Sequence, residues 1–203
     1  MSEAPSLHDR LLEAAADLVD AEGPDKLTLR SLATRAGVSR QAPYLCFRSK
    51  DELLARLAER GLTLEAAWAE DAPEAPASAD ADLGDGAARM RALTNAHLRL
   101  RREHPGLYLL AHGRIDKAAT PELHELAAAA FRRVREAVVA MCPDADLETA
   151  RERVMIAWAL TRGAGELAGM ASTPASVPGD AAQWAASGLA SLVRAWRAED
   201  ATP

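Results

Sequence analysis

Cysteine, aromatic side chains and long apolar runs are all scarce in this sequence. The scarcity of cysteine excludes a disulfide-rich protein, and the scarcity of long apolar runs excludes one that spans a membrane. The two cysteines, Cys46 and Cys142, lie far apart, so they form neither a disulfide framework nor a metal-binding motif. No stretch of about eighteen uninterrupted apolar residues exists, which excludes a membrane span. The first five residues lack the basic start and apolar run of a secretory signal. We therefore expect a cytoplasmic protein with no membrane partner.

Motifs typical of catalytic sites are also absent. The sequence contains no Gly-x-Ser-x-Gly, no P-loop and no Gly-x-Gly-x-x-Gly. No two of His97, His104, His112 and His124 lie one helical turn apart on a single predicted helix, so their spacing predicts no metal site. We predict that the protein is not an enzyme and that it holds no metal or other cofactor.

Helix-forming residues dominate what is present. Alanine and leucine are abundant, whereas β-branched and aromatic residues are few, a balance that favours helices over sheets. Apolar residues recur at helical spacing from Leu7 to Val19, from Leu123 to Met141 and from Leu147 to Ala168. We predict an all-α fold in which Gly23-Pro24 ends the first helix and Pro121 begins a long one.

The charge is unevenly distributed along the chain. The net charge is -6, which argues against a general nucleic-acid coat protein. The window from Lys26 to Lys50 nevertheless has no Asp or Glu and contains six basic residues: Lys26, Arg30, Arg35, Arg40, Arg48 and Lys50. Such a local patch supplies a sequence-independent attraction to phosphate.

The same window, residues 28–50, has the pattern of a helix-turn-helix. Thr28 and Ser39 are predicted to cap two helices, and Gly37 supplies the positive φ of the turn between them. Ser49 and Glu52 form a predicted capping box for the next helix. In such a motif the second helix enters the DNA major groove. Residues at its start reach base edges, where Arg pairs with guanine and Gln with adenine.

These residues resemble the TetR family of bacterial repressors. The resemblance covers about the first sixty residues and rests on three segments: Thr28 to Ala33, Ala36-Gly37-Val38-Ser39, and Tyr44 to Leu54. It implies a homodimer that binds a double-stranded DNA operator. Cys46 departs from the family's usual histidine, and Pro43 lies inside the predicted recognition helix.

The motif and the resemblance together predict the DNA contacts. The resemblance places Thr28, Tyr44 and Lys50 at phosphates, and Arg40, Gln41 and Ala42 at bases. The cation Arg30 and the helix cap Ser39 complete the predicted DNA-binding set. Phe47 is predicted to pack under the recognition helix.

The carboxyl-terminal half resembles one subgroup of this family, whose effector domain has a Trp-x-x-x-His-Gly signature. The matching residues run from Trp158 to Gly163, with Arg162 in place of the histidine, and His104 to Tyr108 resemble a second subgroup motif. The resemblance implies a bundle of about six helices that binds an unknown small-molecule effector and forms the dimer. Candidate effector contacts are His97, Tyr108, Phe131, Met155, Trp158 and Arg162.

The predicted organisation is therefore a three-helix DNA-binding domain over residues 1–60 and an effector-binding and dimerisation domain over 61–203. Residues 71–86, rich in Pro, Ala, Asp and Gly, form a predicted mobile linker. We predict a repressor that a small molecule releases from a palindromic operator. Two alternatives remain open: a helical small-molecule-binding or enzymatic protein whose helix-turn-helix only packs, and a protein-interaction module that uses the same motif.

Overall fold

A computed structural model describes residues 5–72, 81–113, 120–170 and 181–201, and these residues form nine α-helices and no strand. The helices are α1 (Leu7–Glu22), α2 (Leu29–Ala36), α3 (Ala42–Cys46), α4 (Lys50–Glu70), α5 (Asp85–Glu103), α6 (Pro105–His112), α7 (Pro121–Met141), α8 (Leu147–Ala168) and α9 (Ala181–Asp200). Two short 3₁₀ turns cover Pro24–Lys26 and Ala81–Leu83. The prediction of an all-α chain, with three amino-terminal helices followed by six more, is confirmed. No helix in the described ranges is long and apolar enough to cross a membrane.

Local sequence signals set several helix ends. Ser6 and Asp9 form a reciprocal capping box at the start of α1. That helix ends at Gly23, whose φ of 85° is costly for any residue with a Cβ atom. Pro121 begins α7, and the carboxylate of Asp146 accepts two backbone N–H groups at the start of α8. The predictions for Gly23-Pro24 and Pro121 are thus confirmed.

The first of two compact units consists of Met1–Leu64 and Glu103–Ala127. Its core buries large apolar side chains from α1, α2, the start of α4 and α6, and Phe47 lies among them as predicted. The buried set includes Leu11, Leu18, Leu32, Phe47, Leu53, Leu57, Leu107 and Tyr108. Burial of these side chains is the main source of stability for the short helices of this unit, since helices of such length are marginal alone.

Helix α6 is attached to α1 inside this unit. Oδ1 of Asp20 accepts the backbone N–H groups of Gly106 at 2.8 Å and Leu107 at 3.1 Å, and Oδ2 lies 2.7 Å from Nδ1 of His104. A Cβ atom at Gly106 would overlap the Val19 carbonyl, so only glycine permits this approach. A side chain of α1 therefore caps α6.

The second compact unit consists of Glu65–Arg102 and Ala128–Pro203. Buried apolar residues of α5, α7, α8 and α9 form its main cluster, among them Met90, Val138, Met141, Val154, Val193 and Trp196. One charged group is buried with them. The guanidinium of Arg153 in α8 donates to both carboxylate oxygens of Asp200 in α9, at 2.6 and 2.8 Å.

One sequence prediction about this unit differs from the structure. Part of the predicted linker 71–86 is ordered helical structure: Leu83 is 2% exposed, and α5 begins at Asp85. Two arginines of α9 donate hydrogen bonds to this segment. Arg194 binds the Asp82 carboxylate, and Arg197 binds the backbone carbonyls of Asp82 and Leu83. Residues 73–80 of the linker and the loop predicted at 172–179 lie outside the described residues.

Candidate nucleic-acid interface

Helix α2 begins with a reciprocal cap at the protein surface. The Thr28 hydroxyl accepts the Ser31 N–H at 2.9 Å, and the Ser31 hydroxyl accepts the Thr28 N–H at 3.0 Å. This bonding confirms Thr28 as the N-cap and adds the partner Ser31. The first turn of α2 has no acidic residue, so the positive end of its helix dipole is not offset by a neighbouring carboxylate within that turn.

A shallow depression of about 460 Å³ lies beside this helix start. Polar and basic side chains of α2 form most of its lining, with two residues from the end of α1. The lining consists of Leu18, Glu22, Thr28, Arg30, Ser31, Thr34 and Arg35. Two guanidinium groups beside exposed hydroxyls suit an anionic oxygen such as that of phosphate.

The turn after α2 follows the prediction, but the start of α3 does not. Gly37 has φ 65°, as predicted, and its N–H closes the end of α2. Ser39 is not the N-cap of the next helix, which begins at Ala42. A helix capped at Ser39 needs a bond from the N–H of residue 43 to the Ser39 carbonyl, and Pro43 has none. The Ser39 carbonyl instead accepts the Ala42 N–H at 3.0 Å, a tighter three-residue turn.

The residues predicted to face bases fall into two groups. Ser39, Arg40 and Gln41 are exposed and precede α3, so their side chains are available at the surface. Ala42 is only 7% exposed, so its side chain is less available at this surface than those three. Ala42 and Pro43 are the buried residues of α3.

Helix α4 begins beside this surface. The Ser49 hydroxyl accepts the Glu52 N–H at 3.1 Å, as the predicted capping box requires. The Glu52 carboxylate, however, accepts the N–H of Arg48 at 2.7 Å, one residue before the predicted partner. This hydrogen bond is the main cause that lowers the pKa of Glu52 below its ordinary value. The half-buried Lys50 donates its Nζ to the Asp25 carbonyl at 3.4 Å.

The basic residues of this window lie at the surface. Five of the six are exposed: Lys26, Arg30, Arg35, Arg40 and Arg48. Within the described part of the chain, no carboxylate forms an ion pair with Arg30, Arg35 or Arg40. Their charges therefore remain available to an external anion.

Two large apolar side chains on α3 are exposed next to each other. Tyr44 is 63% exposed and Leu45 is 80% exposed, while Phe47 beneath them is buried. Tyr44 was predicted to contact phosphate, and its hydroxyl is at the surface. Leu45 was not singled out from the sequence, because its apolar character favours burial and the start of α3 decides which face it occupies.

The candidate effector residues differ in burial and lie in both compact units. In the second unit, Phe131 and Trp158 are half-buried and pack edge to face with ring centroids 5.3 Å apart, and His97 is buried with Nδ1 3.1 Å from the Glu65 carboxylate. Met155 is 54% exposed and points away from that core, which contradicts a role in lining an enclosed pocket of one chain. Arg162 is half-buried. In the first unit, Tyr108 is buried against the His112 ring.

A small cavity in the second unit does not involve these candidates. It holds about 20 Å³, lies between α5, the end of α7 and α9, and has Met90, Thr94, Met141 and Leu189 among its lining residues. This volume suits about one water molecule and is far below the several hundred Å³ of a small-molecule site.

Comparison with known proteins finds a family match in the amino-terminal residues. Residues 11–57 match the family described as bacterial regulatory proteins, tetR family. The chain is also 34% identical over 101 residues to the HTH-type transcriptional repressor DrrR1 of Streptomyces coeruleorubidus. That match covers 49% of this chain and 33% of the relative, so the chain spans about a third of the curated relative's length.

Solved structures resemble the chain over nearly its whole length. A protein of unknown function from Rhodococcus sp. RHA1 is 26% identical, with a TM-score of 0.72 over 97% of this chain and 96% of that one. The TetR family transcriptional regulator PfmR of Thermus thermophilus is 21% identical, with a TM-score of 0.62 over 91% and 97%. A Rhodococcus transcriptional regulator is 22% identical, with a TM-score of 0.67 over 98% and 100%. The last two likenesses establish the fold.

Proposed function

We propose that this chain is a cytoplasmic, non-enzymatic repressor of the tetR family of bacterial regulatory proteins, and that a small molecule releases it from a palindromic operator. Residues 1–60 would bind the DNA, and residues 61–203 would bind the effector and form the homodimer. DNA affinity then falls because the effector binds one of two dimer states more tightly.

The observation that supports DNA binding most directly is the exposed cationic surface on the helix-turn-helix. Arg30, Arg35 and Arg40 are exposed in a window without acidic residues, and Arg30 and Arg35 line the depression beside the capped start of α2. Such a surface attracts phosphate from any sequence, and exposed side chains before and within α3 then discriminate bases. The alternative of a helix-turn-helix that only packs gives no reason for six cations and no carboxylate in one window.

An apolar stripe on α8 supports the homodimer. Met155, Ala159, Gly163 and Leu167 follow each other at four-residue intervals, and all four are exposed. Apart from Gly163 itself, its two chain neighbours and the nearby backbone of its own helix, no heavy atom of the described residues lies within 4 Å of the position a Cβ atom would take there. Small residues at the centre of such a stripe let a second helix approach closely, and the same stripe of a second copy is complementary to it under two-fold symmetry.

An aromatic pair in the second compact unit supports the effector proposal. Phe131 and Trp158 provide a half-buried aromatic pair, and Arg162 lies one helical turn after Trp158 on α8. Aromatic walls with a few polar groups are typical of small-molecule sites. These residues are the first positions to vary when an effector is known.

Binding to DNA from just upstream of the protein's own gene tests the proposal. We expect fluorescence anisotropy to detect a preference for this DNA over a scrambled duplex, with an affinity that falls steeply between two salt concentrations. Arg40→Glu and Lys50→Glu should abolish binding and leave a folded dimer. Arg132→Glu, at an exposed site on α7, makes the same change in charge and should have no effect on DNA affinity.

A distant operator would also give no preference in this assay, so selection from random duplex DNA decides the matter. Enrichment of a palindrome would support the proposal. Failure to enrich any sequence would refute DNA recognition by this chain.

A further inference from the structure

The exposed apolar face of α3 has no role in the contacts described so far. Phe47 is buried and Ala42 packs inward, whereas Leu45 is the most exposed side chain of the helix at 80%. Successive residues of a helix point about 100° apart, so one side of this five-residue helix packs on the domain and Leu45 lies on the other. The leucine therefore contributes little to the core of its own domain.

The charged residues near Leu45 limit the kind of partner that can bind over it. The exposed guanidinium groups of Arg40 and Arg48 flank it in the chain; Arg40 has no ion pair within the described residues, and Nε of Arg48 lies 3.4 Å from the Glu52 carboxylate. No acidic residue lies between positions 26 and 50. Two copies of this surface would repel each other, so a second copy of the chain is a poor partner here. An anionic partner with an apolar group fits both the cations and the leucine.

The major groove of DNA provides such a combination. Leucine has no hydrogen-bonding group, so it cannot bind phosphate or the polar edges of bases. The apolar group that the major groove exposes is the C5 methyl of thymine. From this position and chemistry, and resting on the proposed function, we infer that Leu45 is a specificity-determining residue that contacts a thymine methyl in each operator half-site.

This inference assigns different chemistry to neighbouring residues. Arg40 and Gln41, on the turn before α3, have the groups for hydrogen bonds to purines, whereas Leu45 distinguishes thymine from cytosine by apolar contact. Removal of one buried methyl group corresponds to about a fourfold loss of affinity. The expected loss of affinity is therefore modest, so the experiment has to change the thymine methyl group and nothing else in the DNA.

The experiment uses the full-length protein and the operator found by selection from random duplex DNA. Each thymine of one half-site is replaced in turn by deoxyuridine, which lacks only the C5 methyl. We expect at least one replacement to weaken wild-type binding about fourfold, and to have no effect on binding by Leu45→Ala. The slope of log affinity against log salt should be the same for both proteins, because leucine makes no phosphate contact.

Two controls separate this effect from loss of structure. Leu45→Ala should unfold at the same temperature as the wild type, because the side chain is mostly exposed. Leu109→Ala makes the same change at another exposed leucine, on α6, and should retain the full sensitivity to deoxyuridine.

The failure of this inference is distinguishable from failure of the proposed function. An enriched operator whose deoxyuridine replacements weaken wild type and Leu45→Ala equally, or weaken neither, would overturn the role of Leu45 and leave the repressor proposal standing. A half-site without thymine would overturn it as well. If selection enriches no sequence, both proposals fall.

Discussion

The cap that Asp20 of α1 provides for α6 leads to a sharp prediction about stability. Both N–H groups, of Gly106 and Leu107, bind the same oxygen, Oδ1, whereas Oδ2 faces His104. Asp20→Ala removes all three contacts. Asp20→Asn keeps a carbonyl oxygen at the Oδ1 position and offers an amide to the neutral form of the imidazole. The two substitutions should therefore differ strongly.

The magnitude follows from the number and type of bonds lost. Hydrogen bonds to a charged group contribute about 1.5–3 kcal/mol each, and loss of a helix N-cap costs about 0.5–2 kcal/mol. The Asp20 side chain is 19% exposed, so water reaches the N–H groups left behind and reduces the loss. We expect Asp20→Ala to lower the free energy of unfolding by about 2 kcal/mol, and Asp20→Asn by about 0.5 kcal/mol.

Thermal unfolding at one fixed protein concentration measures both effects. For a chain of this length, about 2 kcal/mol corresponds to a decrease in Tm of about 4–8 °C. Asp17→Ala, at an exposed position of the same helix, is the matched control and should change Tm little. Equal losses for Asp20→Ala and Asp20→Asn would refute the cap geometry, because charge alone would then explain the effect.

Two further predictions concern other parts of the chain. The guanidinium of Arg153 donates hydrogen bonds that lower the pKa of Asp200 below its ordinary value of 3.8. The stabilisation from this carboxylate is therefore complete above that pH and is lost as pH falls through the lower, folded-state pKa. Urea unfolding of wild type and Asp200→Asn should show a difference at neutral pH that narrows in acid; a difference independent of pH would contradict this. Pro43→Ala restores an N–H that can bind the Ser39 carbonyl, so α3 should begin about two residues earlier. Hydrogen exchange should then show a protected amide at position 43, and rapid exchange there would contradict the role of proline.

Much of the fold follows from local sequence rules. Gly23 and Pro121 were predicted as helix boundaries, and Thr28 and Gly37 as a cap and a turn, all of which the structure confirms. These features depend on backbone conformation and on hydrogen bonds within three or four residues, which the sequence specifies directly. The exposed basic surface was accessible to prediction for the same reason, since six cations and no acidic residue lie in one short window.

The predictions that failed depend on which face of a helix is covered. Pro43 was recognised as unusual, but its effect on the start of α3, which begins at Ala42 and not directly after Ser39, was not predicted. Met155 was a candidate effector contact because it is apolar, yet it is 54% exposed. Helical spacing identifies an apolar stripe, but neighbouring helices decide whether it is buried.

The sequence by itself determined the helices, the cap at Thr28, the turn at Gly37 and the basic helix-turn-helix, because these depend on interactions between residues close along the chain. Only the tertiary structure decided that Asp20 caps α6, that Arg153 meets Asp200, and that Leu45 is exposed. Asp20 and Gly106 are 86 positions apart, and Arg153 and Asp200 are 47 apart. No local rule couples residues at such separations; packing of whole helices around a shared apolar core brings them together.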